Sequence, residues 1–307
     1  MDTSDEWIRT RTGICERRIV TGESLTALSV AAAKKAMAAA GVTPLDIDLI
    51  IVATLTPDEP LPNASCAVQK ALGAVNAVCF DLSAACSGFV FALNTAVMYV
   101  KGGAAAKVLV IGAEILSKII DWTDRKTCIL FGDGAGAAVV GVSETPGFLG
   151  ACLGTDGAKG HTLTMHERDI VNPFRTQWLA EHPETVPEKE KSHYVYMDGQ
   201  EVFKFAVKRV PESIHKVLEE AGLQVADVDH FVLHQANYRI IEAVARRLKV
   251  GMDKFIINMD RYGNTSAASV PMALDELMRS GKVRPGQIVV MSGFGGGLTW
   301  GSMIFRI

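Results

Sequence analysis

A layered α/β fold built from two related halves is what this sequence of 307 residues predicts, on three observations. Short, continuous apolar runs alternate with longer helical patterns along the whole chain. Aromatic residues make up only 7% of it while glycine numbers 28, a balance that suits close-packed helix-on-sheet layers better than an aromatic-rich β-sandwich. The chain also repeats itself. Ala40-Gly41-Val42, followed by Asp46-Ile47-Asp48 and the run Leu49–Val52, returns 181 positions later as Ala221-Gly222-Leu223, Asp227-Val228-Asp229 and Phe231–Leu233. The same offset carries Val108–Gly112 onto Val289–Gly293. So long a period means tandem halves and not a solenoid; they are read as residues 1–146 and 147–307.

Each half reads as helix, strand, helix, strand, helix, strand, strand. In the first, a helical pattern from about Ser24 ends at Gly41, a natural left-handed stop. Leu49–Leu55, Val75–Phe80 and Val108–Ile111 are continuous apolar runs, as parallel strands buried on both faces should be. Helical stretches lie near Asn63–Leu72 and Ser87–Val100. The second half opens with the apolar run Phe148–Leu153. Its helices are Val202–Ala221, Tyr238–Leu248 and Val270–Ser280, and its strands Phe231–Leu233, Phe255–Ile257 and Ile288–Met291. Between the halves, the polar stretch His161–Ser192, with Pro173, Pro183 and Pro187, reads as a surface excursion or lid.

Charge and cysteine usage remove several function classes. With 31 basic and 34 acidic residues the net charge is −3, so bulk attraction to nucleic acid is not expected. No apolar run approaches the ~18–20 residues of a membrane span, and the start lacks signal-peptide order; a cytoplasmic protein is expected. The six cysteines include no C-x-x-C pair, which argues against a disulfide framework or a thiolate zinc site. His230 and His234 stand four apart without the glutamate of H-E-x-x-H, so no metal is expected.

Ligands of open α/β sheets gather at the carboxyl ends of strands, and four such ends carry unusual residues. Asp81–Phe89 turns from strand to helix at Cys86, where a helix N-terminus stabilises a thiolate; a small core cysteine is the competing reading. His234 follows the strand Phe231–Leu233 and could equally be a structural histidine. Asn264, within Tyr262–Ser269, occupies the junction corresponding to that of Cys86; a simple helix cap is the alternative. Gly295-Gly296-Gly297 follows Phe294, and consecutive glycines destabilise a chain unless backbone must approach something closely. Phe131–Ala137 holds a loose G-x-G-x-x-A without the acidic residue a dinucleotide site wants. A cysteine, a histidine, an asparagine and a glycine amide loop at strand ends of two related halves form a set for thioester chemistry.

Taken with Thr3–Ile14 (TSDEWIRTRTGI), FGDGAGA, LHQAN, YGNTSAAS and FGGGLTWG, the Cys86 segment makes the sequence resemble the β-ketoacyl-ACP synthase III family of thiolase-like condensing enzymes along essentially its whole length. The resemblance implies a homodimer of the αβαβα layered fold, each half βαβαβαββ. It implies condensation of an acyl-CoA, typically acetyl-CoA, with malonyl-ACP to 3-ketoacyl-ACP, CoA and CO₂, initiating type II fatty acid synthesis without a cofactor. Residue by residue, Cys86 would be the acylated nucleophile, and His234 and Asn264 would stabilise the enolate. The Cys86 and Gly296 amides would form the oxyanion hole, and Phe294 would shield the cysteine. Trp7 and Arg125 would sandwich the CoA adenine, with Arg11 and Asn237 along the CoA tunnel. Lys204, Arg239, Arg246 and Arg247 would receive the acidic carrier protein; a solvated helix face is the plain alternative for them.

Three departures qualify the resemblance. Leu61 stands where family members often carry a phenylalanine that reaches the partner subunit's acyl pocket. The 161–192 excursion is long for the family. The first half has no counterpart of Phe148–Leu153, since Met1–Glu23 offers only Ile19-Val20, while the resemblance implies a strand ahead of Thr3, placed centrally in its sheet. A missing first strand, with ladder groups unpaired on both neighbours and an upstream start or a rearranged sheet as its remedy, is therefore expected. Competing functions are a quinolone- or polyketide-priming sister enzyme, a cysteine hydrolase, and a non-catalytic acyl-carrier binding protein.

Overall fold

Side-chain caps set the helix limits in this computed structural model, which describes residues 3–145, 147–166, 173–182 and 193–307. Ser4 accepts from the Trp7 amide and opens α1 (Asp5–Thr12), which Gly13 closes at φ 81°. The apolar pattern did not announce this helix; its signals are the Ser4 cap and the acidic first turn, Asp5 and Glu6. Ser24 likewise opens α2 (Leu25–Ala40), closed by Gly41. The first half continues with β1 (Leu49–Ala53), α3 (Ala64–Leu72), β2 (Val78–Leu82), α4 (Gly88–Lys101), β3 (Lys107–Glu114), the short α5 (Arg125–Cys128) and β4 (Gly134–Gly141).

The second half begins with β5 (Phe148–Thr155). Its excursion holds β6 (Leu163–Thr164), α6 (Pro173–Glu181) and β7 (Tyr196–Met197), with β6 and β7 paired antiparallel. The expected loop thus carries a helix starting at Pro173; Pro183 and Pro187 lie outside the described residues. Then follow α7 (Gly199–Glu220), β8 (His230–Leu233), α8 (Tyr238–Leu248), the short α9 (Met259–Tyr262), α10 (Ser269–Arg279), β9 (Ile288–Gly295) and β10 (Thr299–Arg306).

Two sheets result, ordered β2-β1-β3-β4 and β5-β10-β9-β8. Their registers repeat at the offset seen in the sequence: Leu49 pairs with Val108 in one and His230 with Val289 in the other, both parallel. Strand faces alternate between layers. Leu49, Ile51, Val108 and Val110 face a central layer made by α4 and α10, which Val232, Val289 and Met291 meet from the second sheet. Ile50, Val52, Leu109 and Ile111 turn outward against α2 and α3, while Phe231, Leu233 and Val290 pack beneath α7 and α8. Helix, sheet, helix, sheet and helix are therefore stacked in five layers. That arrangement explains why the strands read as unbroken apolar runs.

Three sequence expectations need correction. The run Val75–Phe80 is paired only from Val78; Val75 lies in the turn after α3 and is 72% exposed. Phe255–Ile257 is reduced to one bridge, Phe255 to Phe231. The initial strand of a half is not central: β5 pairs with β10 at the edge of its sheet. The equivalent place in the first half is the outer edge of β4. The four strands β2-β1-β3-β4 are hydrogen-bonded without a gap, so the expected gap between two neighbouring strands is not found in this sheet. A groove of about 780 Å³ between α2 and α10 runs along that edge.

Candidate active site

The two halves meet at a pair of matching turns. Ala85–Ser87 and Ser266–Ala268 are single 3₁₀ turns leading into α4 and α10, again 181 positions apart. Each begins with a non-glycine residue in the left-handed region, Ala85 at φ 47° and Ser266 at φ 49°. Such conformations cost ~1–3 kcal/mol and persist where the surroundings over-determine them. Gly88 lets the turns approach: a Cβ there would lie 3.2 Å from that of Ala53 and 3.4 Å from that of Ala267.

Cys86 sits in the first turn, buried, ahead of the N-terminus of α4. Burial pushes its thiol up from about 9 to about 12, against an opposing hydrogen bond from Ser266. The N-terminus of α4 acts in the opposite sense, favouring the thiolate, so burial and the helix end compete at this thiol.

His234 follows β8 and is buried, its Nδ1 lying 2.6 Å from Ser269 Oγ. Burial pulls it down to about 3, so the ring is neutral. Phe294 packs edge-on against it at 5.1 Å. Among the described residues no hydrogen bond joins His234 to Cys86. Asn264 is tied into the backbone through Leu130 and Gly132, and its Oδ1 accepts the Ser266 amide at 2.9 Å, leaving Nδ2 to donate.

A cavity of about 330 Å³ brings these three together with Phe294 and Gly295, and leads outward past Arg11, Asn237, Trp7 and Arg125. Arg125 lies over the Trp7 ring at 4.9 Å and Arg11 at 5.9 Å. Asn237 caps α8 and donates to the Arg11 carbonyl at 3.4 Å. Behind Cys86 opens a second cavity of about 510 Å³, lined by apolar groups such as Leu55, Phe91, Leu116 and Ile119, and by Gly296. Gly295, not Gly296, is the glycine pressed on the nucleophile: a Cβ there would lie 2.7 Å from the Cys86 amide nitrogen.

Other candidates lie apart. Leu61 is 85% exposed and lines neither cavity of its own chain. Lys204 pairs with Glu201 at 2.8 Å, Arg246 with Glu242 at 3.9 Å, and Arg239 donates to the Thr10 carbonyl at 3.2 Å; Arg247 is exposed. All four sit on α7 and α8, whose first turns line the cavity mouth. In the G-x-G-x-x-A motif, Gly136 lets β4 pack on α10, a Cβ there meeting the Met272 amide nitrogen at 2.8 Å. Asp133 is spent on the Val20 and Ser117 amides. That motif is structural.

Family profiles described as 3-oxoacyl-[acyl-carrier-protein (ACP)] synthase III and its C-terminal part match residues 80–157 and 218–307. A β-ketoacyl-[acyl-carrier-protein] synthase III of Clostridium acetobutylicum is 49% identical over this whole chain and 91% of its own length. One from Caldanaerobacter subterraneus is 52% identical over the whole chain and 90% of its own. The chain belongs to the β-ketoacyl-ACP synthase III family. A solved structure of the synthase from Aquifex aeolicus superposes with a TM-score of 0.90 at 44% identity, over the whole chain and 92% of its own. A priming β-ketosynthase of the R1128 polyketide pathway follows at 0.89 and 41%, over the whole chain and 89% of its own. The fold is thus that of a thiolase-like condensing enzyme.

Within this family member the sequence reading overlooked three residues of the site. Ser269 orients His234. Glu114 is buried beneath the Ser266 turn and accepts from Ser266 Oγ at 3.2 Å. The signal for Glu114 was present as a lone acid closing the apolar run from Val108.

Proposed function

We propose that this chain condenses an acyl-CoA with malonyl-ACP to give a 3-ketoacyl-ACP, CO₂ and CoA, the opening step of type II fatty acid synthesis. What carries the reading is the continuous cavity from the Trp7–Arg125 pair to Cys86, His234 and Asn264, with an apolar chamber behind the thiol. An indole face and a planar guanidinium suit a CoA adenine, and Arg11 and Asn237 flank the path. The thioester carbonyl reaches Cys86, whose own amide and that of Gly296 receive the oxyanion, and the acyl chain enters the chamber. CoA leaves and the malonyl thioester takes its place. With Ser269 donating to Nδ1, the neutral His234 keeps Nε2–H for the malonyl thioester oxygen, beside Asn264 Nδ2. These donors hold the charge that develops as CO₂ departs. The resulting carbanion attacks the acyl-Cys86 carbonyl. No resident cofactor is needed.

The working form is read as a cytoplasmic homodimer. An apolar edge at β2 supports this, with Val78, Met98 and Tyr99 exposed beside it. Leu61 would reach the partner's acyl chamber, so Leu61→Phe should shift the spectrum of acyl-CoAs that load; an unchanged spectrum removes Leu61 from the specificity argument. Carrier protein would dock on Lys204, Arg239, Arg246 and Arg247. Arg246→Glu should raise KM for malonyl-ACP several-fold, less at high salt, while acyl loading stays within about two-fold. Equal loss for both substrates would indicate damage to the fold instead.

The likeness to a polyketide-priming synthase favours one second reading, the same chemistry with a different acyl starter. Intact-mass measurement with a panel of acyl-CoAs, followed by addition of malonyl-ACP, tests both. A Cys86 acyl adduct that becomes 3-ketoacyl-ACP supports the condensing function, and the adducts formed separate the two starters. Hydrolysis without a malonyl donor would overturn it.

A further inference from the structure

The two matching left-handed turns are braced in different ways. In the first, Ala85 carries no hydrogen-bonding side chain, and Gly295 of β9 packs directly on the Cys86 backbone. The common offset of 181 positions puts Ser266 in the place of Ala85 and Glu114 in the place of Gly295. Here the brace is polar: Ser266 Oγ donates to Glu114 Oε1 at 3.2 Å. The rest of β3 lies so close to the turn that a Cβ on Gly112 would find no room beside the Ala267 carbonyl. Ala85 shows that a left-handed turn of this kind stands without a hydroxyl. The Ser266 side chain is therefore free to serve another purpose.

That purpose lies at Asn264. Its amide donates to the Leu130 carbonyl at 2.9 Å and its carbonyl accepts from Gly132 at 3.0 Å, which fixes where the residue stands. How its carboxamide is turned is set by the Ser266 amide, which donates to Asn264 Oδ1 at 2.9 Å. That amide points where the left-handed Ser266 backbone directs it. On the far side of Ser266 the carboxylate is itself anchored. Thr56 Oγ donates to it at 2.6 Å, the Leu55 amide at 3.1 Å and Thr54 Oγ at 3.3 Å. Lys118 Nζ secures the same loop through the Thr56 and Pro57 carbonyls, at 2.7 Å and 2.6 Å. Glu114 is fully enclosed, and a buried, fully partnered network of this kind rigidifies what it holds.

We propose that Glu114 is a positioning residue for the second half-reaction: by holding the Ser266 hydroxyl it locks the turn whose amide aims Asn264 Nδ2 at the malonyl thioester oxygen. The inference rests on the condensing function proposed above. Glu114 touches no substrate in this scheme. Its role calls for a hydrogen-bond partner to Ser266, not for a proton transfer. A donor aimed before charge develops acts at full strength, and one left to swing must be reoriented at the moment of reaction.

The test is condensation with malonyl-ACP by enzyme already acylated at Cys86, so that loading plays no part in the rate. Ser266→Ala, which the precedent of Ala85 shows the backbone can carry, should lower kcat by at least roughly 10-fold. That is short of the roughly 10²–10³-fold expected of Asn264→Ala, and KM for malonyl-ACP should stay within about two-fold. Glu114→Ala should match it, and the two changes together should be no slower than the poorer one alone. Glu114→Gln still hydrogen-bonds Ser266 and should remain within about three-fold of wild type. In an Asn264→Ala background, Ser266→Ala should cost nothing further, because the group it positions is gone. A kcat within about two-fold of wild type for Ser266→Ala, or its full loss repeated in the Asn264→Ala background, overturns the proposal. Should Glu114→Ala not fold, Ser266→Ala decides alone. Acylated wild-type enzyme that fails to condense at all would instead sink the parent function.

Discussion

His234→Ala and Asn264→Ala should each load an acyl group onto Cys86 at close to the wild-type rate, yet condense with malonyl-ACP roughly 10²–10³-fold more slowly. Loss of CO₂ moves a full negative charge onto the malonyl thioester oxygen, which in the proposed function receives the donors of these two side chains, both lining one cavity. Each is pre-oriented: Ser269 holds the imidazole at 2.6 Å, and the Ser266 amide holds the Asn264 carbonyl oxygen at 2.9 Å, turning its NH₂ outward. A donor fixed before the charge appears costs no reorganisation when it does. His234 is neutral down to about pH 3, so wild-type condensation should show no imidazole limb near pH 6.5. Intact mass reads the adduct and released CO₂ reads the second step. An adduct missing from either variant would mean that the residue also serves acylation, ending the division of labour.

Much of this architecture was legible because the strands are buried on both faces. β1, β3 and β9 are continuous apolar runs, and their duplication appears as the same register pair, Leu49–Val108 and His230–Val289. What failed did so for local reasons. Val75 is apolar but belongs to the turn closing α3, so composition moved β2 three residues early. Strand order is set by crossovers, which leave no mark in composition, so a first strand at the sheet edge was taken as central. Helix α1 buries only Thr12 and shows no apolar stripe; its caps alone mark it. At the site, Cys86, His234 and Asn264 stand out as strand-end residues, and the cavity joins them. The Glu114 cluster was invisible because its donors come from positions 54, 55, 56 and 266, which only the folded chain brings together.

Gly295→Ala should slow acylation by at least roughly 10²-fold, while Gly296→Ala stays within a few-fold of wild type. The contrast is steric. A Cβ on Gly295 would lie 2.7 Å from the Cys86 nitrogen and 2.9 Å from its Cβ, inside any tolerated contact, and neither neighbour is the free end of a flexible chain. On Gly296 the nearest atoms are the Leu163 carbonyl oxygen at 3.4 Å and the Ala85 Cβ at 3.5 Å, ordinary van der Waals distances. The clash at Gly295 is relieved only by moving β9 or the Cys86 turn. That turn already starts from the left-handed Ala85 and has little slack. Overpacking of this kind costs ~1–3 kcal/mol of stability, which a protein with a margin of ~5–15 kcal/mol survives folded. A displacement near 1 Å is nevertheless enough to cost about 10² in rate when nucleophile and oxyanion donors must act together. Thermal melting should therefore show a folded Gly295→Ala protein that rapid-quench mass spectrometry finds slow to acylate. Wild-type acylation in that variant would show that the turn yields freely and that its geometry does not set the reactivity of Cys86.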